Sequence, residues 1–326
     1  AIATTWGAAG NGSHPATHKS VPSLDEDTVT MSIEASRNAI ERANIVPQQI
    51  RAVWVGTESK PYAVKPCSTI VAEAIGATPA VSAADMEFAC KAGSEAMQTA
   101  VAFVGSGMAE YALAIGMDAA QSKPGDALEY TAAAGGAAYI FGPAKDSLAT
   151  VEASHSHVTD TPDFFRRQHM HYPEHGHRFT GLPAYLSHTQ EATQALLDLT
   201  NTQPPDYDWA VFHQPNPKFP RRVANTLGFT EEQILPGLVV DSIGNTYSGS
   251  SLLGLAAVLD IANKGDRIFF CSYGSGAGSD AFSLIVNGSL VSTRGNAPTV
   301  SDYLNRSHPL DDYGQYLRLA RKIRLL

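Results

Sequence analysis

Ala52-Val53-Trp54-Val55-Gly56-Thr57-Glu58 is a short apolar run that stops at a hydroxyl and a carboxylate. An unbroken apolar run of this length, bounded by polar residues, reads as a strand buried on both faces, the kind found in parallel sheets. A helix follows over about 68–75 and stops at Gly76, then a strand around 80–84 leads into Asp85-Met86-Glu87-Phe88-Ala89-Cys90. A small-residue helix from about Lys91 to Val104 and a strand over 110–116 close this series. The second half repeats the order. Residues 209–212 (WAVF) are a strand ending at His213-Gln214-Pro215-Asn216, and a helix over 221–227 stops at Gly228. A strand at 238–240 then leads to Gly244-Asn245-Thr246-Tyr247-Ser248-Gly249, a small-residue helix runs to about Ile261, and 267–273 is the closing strand. Glu58 and Cys90 are 32 residues apart, and so are His213 and Asn245.

Strands alternating with helices imply parallel α/β layers, and the repeated order implies an internal duplication. Two halves paired about a pseudo-twofold axis bring their strand-end residues to one site, where Glu58, Cys90, His213 and Asn245 gather. Upstream, Ser23-Leu24-Asp25-Glu26 has capping-box spacing and opens a helix to about Ala43. The expected organisation is an N-terminal half over 1–145, an insertion or cap over 146–207, and a C-terminal half over 208–326. The middle stretch is poor in Ala and rich in Pro, aromatics and His, holding seven of the eleven histidines between 155 and 188.

The chain has 326 residues, 44% of them hydrophobic and 17% charged, enough for about two domains of roughly 150 residues. No stretch reaches the ~18 uninterrupted apolar residues of a membrane span, so a soluble chain is expected. A net charge of −9 argues against nucleic acid as a partner, and any anionic ligand must meet a local basic cluster. Cys67, Cys90 and Cys271 give neither a disulfide framework nor a CxxC metal site, which points to a reducing, cytoplasmic setting. No signal peptide is visible, and Ala1-Ile2-Ala3-Thr4-Thr5-Trp6 reads like the middle of an element. Local order is not expected over 10–18.

Cys90 stands at a loop-to-helix junction, where the helix N-terminus favours a thiolate; it is either a nucleophile or a buried structural thiol. Cys271 lies in the apolar run Ile268-Phe269-Phe270 and reads as core, and Cys67 has no partner in view. His213 is a strand-end general acid or base, or a hydrogen-bonded structural histidine. Glu58 is a base or a capping group. Together the three supply a nucleophile, a base and an acid, a set suited to carbon–carbon bond formation through an acyl thioester. Lys218, Arg221 and Arg222 are a basic cluster for a phosphorylated cofactor or a solvated helix face. His171-Tyr172-Pro173-Glu174-His175 spells HxxEH, but Pro173 and Gly176 oppose the continuous helix that zinc chemistry needs. Gly274-Ser275-Gly276-Ala277-Gly278 lacks GxGxxG spacing and precedes a strand, so a Rossmann assignment fails.

The segments GTESKPYAVKP (56–66), AADMEFACKAGSEAMQ (83–98), GDALEYTAAAGGAA (125–138), FHQPNPKFPRRVA (212–224), IGNTYSGSSLLGLAAVLD (243–260) and YGSGAGSDAF (273–282) resemble archaeal-type hydroxymethylglutaryl-CoA synthase, a branch of the thiolase superfamily. The resemblance runs through nearly the whole chain and implies the thiolase-like duplicated αβαβα layered fold. It assigns Cys90 in FACKAG as the catalytic cysteine, Glu58 in GTES as the catalytic glutamate and His213 in FHQP as the catalytic histidine. Lys218 and Arg222 look like CoA-contacting cations. Asn245, Ser275, Thr131 and Thr180 resemble substrate-contacting positions, and no metal site is implied. The family's opening strand, with an acidic residue near it, has no counterpart in this sequence. Thiolases carry a second cysteine in a C-x-G-G-G loop; here Ser272 takes that place, one residue from Cys271.

The implied reaction condenses acetyl-CoA with acetoacetyl-CoA and water, in the mevalonate route to isoprenoids, with CoA thioesters as substrates and no cofactor. Cys90 takes the acetyl group, Glu58 removes a methyl proton, His213 with Asn245 serves the ketone oxygen, and hydrolysis releases product. A ketoacyl synthase III-like enzyme with a Cys-His-Asn set is the enzymatic rival, against which Glu58 discriminates. A silent scaffold for a thiolase partner is the other alternative. The resemblance also implies a homodimer or higher assembly, and a complex with acetoacetyl-CoA thiolase and a small OB-fold zinc protein. The basic, aromatic tail 313–326 serves that contact or packs on its own domain.

Overall fold

A computed structural model describes residues 1–6, 18–120, 122–288, 290–310 and 312–323. Residues 10–17, where local order is not expected, and 324–326 of the tail lie outside the described residues.

Helix α1 (Thr28–Ala43) precedes strand β1 (Ile50–Gly56), helix α2 (Cys67–Ile75), strand β2 (Ser82–Met86), helix α3 (Ala92–Gly105), strand β3 (Tyr111–Ala119) and strand β4 (Ala134–Phe141). These strands form one sheet in the order β2-β1-β3-β4, with β4 antiparallel to β3 and the other neighbours parallel. Strand β5 (Ala149–Val158), the short strands β6 (Phe164–Phe165) and β7 (Glu174–His175), helix α4 (Ser187–Thr200), strand β8 (Trp209–Phe212), helix α5 (Lys218–Leu227), helix α6 (Ser250–Leu259), strand β9 (Arg267–Cys271) and strand β10 (Gly278–Val286) follow. The second sheet runs β5-β10-β9-β8. In it β8 is parallel to β9 and β9 antiparallel to β10, the relation that β1, β3 and β4 have in the first sheet. The duplication expected from the sequence is therefore present in the sheets.

Alternation along β1 builds the layers. Val53 and Val55 face one cluster with Val71 of α2, Leu113 and Ile115, while Ala52 and Trp54 face another with Met97, Leu252, Leu255 and Phe270. Helices α3 and α6 thus lie between the two sheets, with α1 and α2 outside the first and α4 and α5 outside the second. The result is five layers, αβαβα. The central helices approach closely because they carry small residues: a Cβ on Gly93 would sit 2.4 Å from the Ser248 carbonyl oxygen.

Three expectations are corrected. Helix α1 starts at Thr28 under the Asp27 carboxylate, which accepts from Val29 N at 2.9 Å and Thr30 N at 3.0 Å; Ser23 and Glu26 close a separate turn. Residues 238–240 are not a strand. Leu235-Pro236-Gly237 turns the chain, Gln214 accepts from Val240 N at 3.0 Å, and Val240–Ile243 is helical. The stretch 146–207 is not one cap either. Ala149–Val158 pairs with β10 and α4 packs on both strands, because their apolar faces complete the second sheet. The resemblance's missing opening strand has no stand-in among the described residues, where β4 pairs only with β3.

Candidate active site

Cys90 ends the turn between β2 and α3. Ala89 is held at φ 41°, Lys91 N donates to Phe88 O at 2.9 Å and Ala92 N to Ala89 O at 3.2 Å. The glycine-rich loop 274–278 presses against this turn: a Cβ on Gly274 would lie 2.5 Å from the Phe88 carbonyl oxygen. The Cys90 side chain is buried against Ala132 and Tyr247, with Phe164 at its edge. Burial pushes its thiol pKa well up, and the carboxylates of Glu58, Asp118 and Asp163 push it further in the same direction. This reverses the expectation that the helix N-terminus favours a thiolate; desolvation and three nearby acids outweigh the helix.

Glu58 follows β1 and is positioned from β3. Buried Asp118 accepts from Glu58 N at 2.9 Å, Thr57 Oγ1 at 2.7 Å, Ser59 Oγ at 2.6 Å and, through its other oxygen, Ser248 N at 2.9 Å. One carboxylate thereby fixes the Glu58 turn and the Tyr247-Ser248 turn of the opposite half. The Glu58 pKa is raised well above the ordinary carboxylate range, by burial first and then by Asp118, with Arg166 opposing. Its Oε2 is buried without a hydrogen-bond partner among the described residues.

His213 follows β8 and is buried, its main chain fixed by donation from His213 N to Cys271 O at 2.9 Å and from Tyr185 Oη to His213 O at 2.8 Å. Burial lowers its pKa to about 3, so the imidazole is neutral near pH 7, and its Nδ1 has no partner among the described residues. The Tyr273 ring lies 6.2 Å from the His213 ring, and Cys90 is among the groups that raise the Tyr273 pKa. Tyr273 is therefore near both the imidazole and the thiol. Tyr273 Oη and Gly276 N both donate to Asp163 at 2.8 Å, which ties the glycine-rich loop, with half-buried Ser275, to the segment between β5 and β6.

Asn245 reaches the same centre through the main chain. It forms a parallel bridge with Ala132: Asn245 N donates to Thr131 O at 2.7 Å and Ala133 N to Asn245 O at 2.9 Å. Its Oδ1 accepts from Tyr247 N at 2.9 Å, holding Tyr247 at φ 50° beside Cys90. Thr131 is buried next to this bridge. Thr180 instead spends its hydroxyl on Asp163 O at 3.0 Å. Lys218 and Arg222 are exposed one turn apart on α5, whose start is capped by Asn216, and Arg221 pairs with Glu231 at 2.8 Å.

The remaining motifs sort as the sequence suggested. Cys271 is core in β9, and Cys67 sits under the Asp85 carboxylate with its pKa pushed up to about 12 by burial first. His175 lies on β7, paired with Phe164, so HxxEH is not on one helix. Asp118, Tyr247, Tyr273 and Asp163 were not foreseen. Asp118 alone had a signal, since it lies near the end of β3 as Glu58 follows β1; Asp163 is brought in from the segment between β5 and β6 by tertiary structure. A groove of about 2470 Å³ along β4, α1 and α6 has neither Glu58, Cys90 nor His213 in its walls.

Residues 197–286 match the 3-oxoacyl-(acyl-carrier-protein) synthase III C-terminal family. Among curated proteins, the hydroxymethylglutaryl-CoA synthase of Pyrococcus furiosus is 58% identical over 98% of this chain and 91% of its own length. That of Methanopyrus kandleri is 56% identical over 94% and 87%. Among solved structures, MvaS in complex with 3-hydroxy-3-methylglutaryl coenzyme A superimposes with a TM-score of 0.83 at 21% identity, covering 94% of this chain and 82% of that one. The synthase III, FabH, of Pseudomonas aeruginosa superimposes with a TM-score of 0.74 at 18% identity, covering 81% and 85%. These two likenesses show the thiolase-like fold.

Proposed function

The chain belongs to the hydroxymethylglutaryl-CoA synthase family, acyl-condensing transferases, and from that premise we propose how its own residues divide the work. Cys90 is the nucleophile. Its S–H bond is replaced by an S–acetyl bond, and the proton leaves with the departing CoA sulfur as CoA thiol. Glu58 is the base for the next step. A carboxylate whose pKa is raised is a stronger base than an exposed one, which the weakly acidic methyl of an acetyl thioester requires. The carbanion equivalent attacks the ketone carbon of acetoacetyl-CoA. Neutral His213, assisted by Asn245, donates a hydrogen bond to the developing alkoxide, which takes up the proton that Glu58 removed; an imidazole kept neutral by burial is suited to that. Water then cleaves the Cys90 thioester: one of its protons restores the thiol, and the new carboxyl group loses the other to solvent to give the free carboxylate of the product.

The observation that carries this reading is the burial of Glu58 beside Cys90 with one carboxylate oxygen unpartnered. A decarboxylating synthase needs no such base. Labelled acetyl-CoA should acetylate the parent protein at Cys90, and Cys90→Ala should take no label. Persistent label at another residue would overturn the assignment.

Lys218 and Arg222, exposed on α5, are proposed to meet the CoA phosphates, with Ser275 and Thr131 lining the acyl end. Thr180 is proposed to act through Asp163. No cofactor beyond the CoA thioesters is called for by this chemistry. Assembly as a homodimer or higher is proposed on family resemblance. A complex with acetoacetyl-CoA thiolase and a small OB-fold zinc protein, in the cytoplasm, remains part of the proposal on family resemblance alone. Among the described residues no helix is long and apolar enough to cross a membrane.

A further inference from the structure

We infer that Lys19 and the C-terminal helix α7 (Tyr313–Leu319) form a strap that positions Asn245 for the condensation step. The inference rests on the reading of Asn245 given above.

Among the described residues, the main chain of Asn245 is held by an isolated bridge to Ala132 rather than by a longer ladder. The other side of that bridge is where Lys19 acts. Its Nζ donates to Ala132 O at 2.9 Å, to Glu129 O at 2.6 Å and to Tyr316 Oη at 2.9 Å. Its Cβ also backs onto Gly244, where any side chain would come within 2.9 Å of it. Lys19 thus touches both strands of the bridge, one residue before Asn245 and at Ala132 itself.

The tail completes the device. Glu129, sealed from solvent, accepts from Gly125 N at 2.7 Å, Trp6 Nε1 at 3.2 Å and Tyr313 Oη at 3.0 Å, and pairs with Lys322 at 3.4 Å. Lys322 Nζ also reaches Ser122 Oγ at 3.0 Å. Three distant parts of the chain therefore converge on the turn 122–132. Burying two lysines here is costly: burial lowers the Lys19 pKa to about 7, with Lys322 adding to the effect, and lowers that of Lys322 as well. A greasy contact would anchor a tail more cheaply. Directed donors at Ala132 O and Glu129 O set a geometry that such a contact would not. The tail, singled out in the sequence for its basic and aromatic residues, packs here on its own domain.

The two half-reactions separate positioning from general damage. In Lys19→Met, acetylation of Cys90 by labelled acetyl-CoA should stay within about twofold of the parent, while condensation with acetoacetyl-CoA falls by about tenfold or more, as misplacing one reacting group does. Lys19→Arg should recover part of that loss. Tyr316→Phe, which deletes one hydroxyl and keeps the packing, should slow condensation about threefold with acetylation unchanged. Asn245→Ala should slow condensation, and combining it with Lys19→Met should add little. If Asn245→Ala slows condensation while Lys19→Met and Tyr316→Phe do not, the strap is overturned and the site reading stands. If both half-reactions fall together in Tyr316→Phe, the contact is merely structural and the strap is overturned. If Asn245→Ala leaves condensation intact, the site reading falls and takes the strap with it.

Discussion

Lys91 and Asp280 face each other at 3.1 Å with both side chains closed to solvent, joining the turn that carries Cys90 to β10 of the opposite half. Asp280 also accepts from Ser94 and Ser156 at 2.6 Å each, and Glu95 shares the Lys91 ammonium. Burial still pushes the Asp280 pKa up, so desolvation outweighs the lysine there. Lys91 is thus committed to carboxylates rather than to the neighbouring thiol. Removing one partner strands the other charge, and Lys91→Met should cost about 3–5 kcal/mol in urea unfolding. Lys91→Met with Asp280→Asn should recover most of it. A double variant no more stable than the single would show that the pair does not couple the halves.

Glu58→Gln should uncouple chemistry from stability. Its pKa is raised in the folded chain, so its contribution is full below the ordinary carboxylate pKa and is lost as pH rises through the folded value. Near pH 7 the folded state therefore bears the cost of this carboxyl, and an isosteric amide removes it. Glu58→Gln should be more stable than the parent by about 1–2 kcal/mol in thermal or urea unfolding, should still acetylate Cys90, and should fail to condense. Full turnover by this variant would remove Glu58 as the base.

His213 gives the opposite pH dependence. Its folded pKa is lowered from 6.5 to about 3, so its stabilisation is complete above pH 6.5 and declines as pH falls toward 3. Over that window the loss reaches about 5 kcal/mol at most. His213→Gln, measured against the parent at several pH values, should flatten this part of the acid limb. Parallel curves for the two proteins would show that the imidazole titrates normally.

Lys218→Glu with Arg222→Glu should raise KM for both CoA thioesters by about tenfold and leave the acetylation rate at saturation nearly unchanged, since the two cations meet a part of the substrate that does not react. The parent KM should rise with added salt and the variant's much less. An unchanged KM would move the CoA phosphates elsewhere.

The layered fold was legible because its signals are local. The apolar runs at 52–56, 209–212 and 267–271, and the stops at Gly76 and Gly228 with φ of 82° and 92°, need no tertiary context. Glu58 and His213 each follow a buried parallel strand, a rule readable in both halves, whereas Cys90 and Asn245 are placed by turns that meet at Ala132. The strand expected at 238–240 failed because Gln214, from another segment, takes its backbone amide. Ala149–Val158 was hidden in a stretch whose histidines and serines resemble a cap, although it pairs along its length with β10. Asp163 and the charge state of Cys90 were out of reach, since both depend on groups distant in sequence that burial brings near.

The closure of Cys90 also bears on how the protein meets oxidants. Peroxides and disulfides attack thiolates, and their damage proceeds from sulfenic to irreversible sulfinic acid. A sulfur kept protonated behind Tyr247 and Phe164 offers them little. Once acetylated, it is capped by the very group it carries. In the proposed cycle Cys90 is a protonated thiol or a thioester at each resting stage, and neither is the thiolate that oxidants attack.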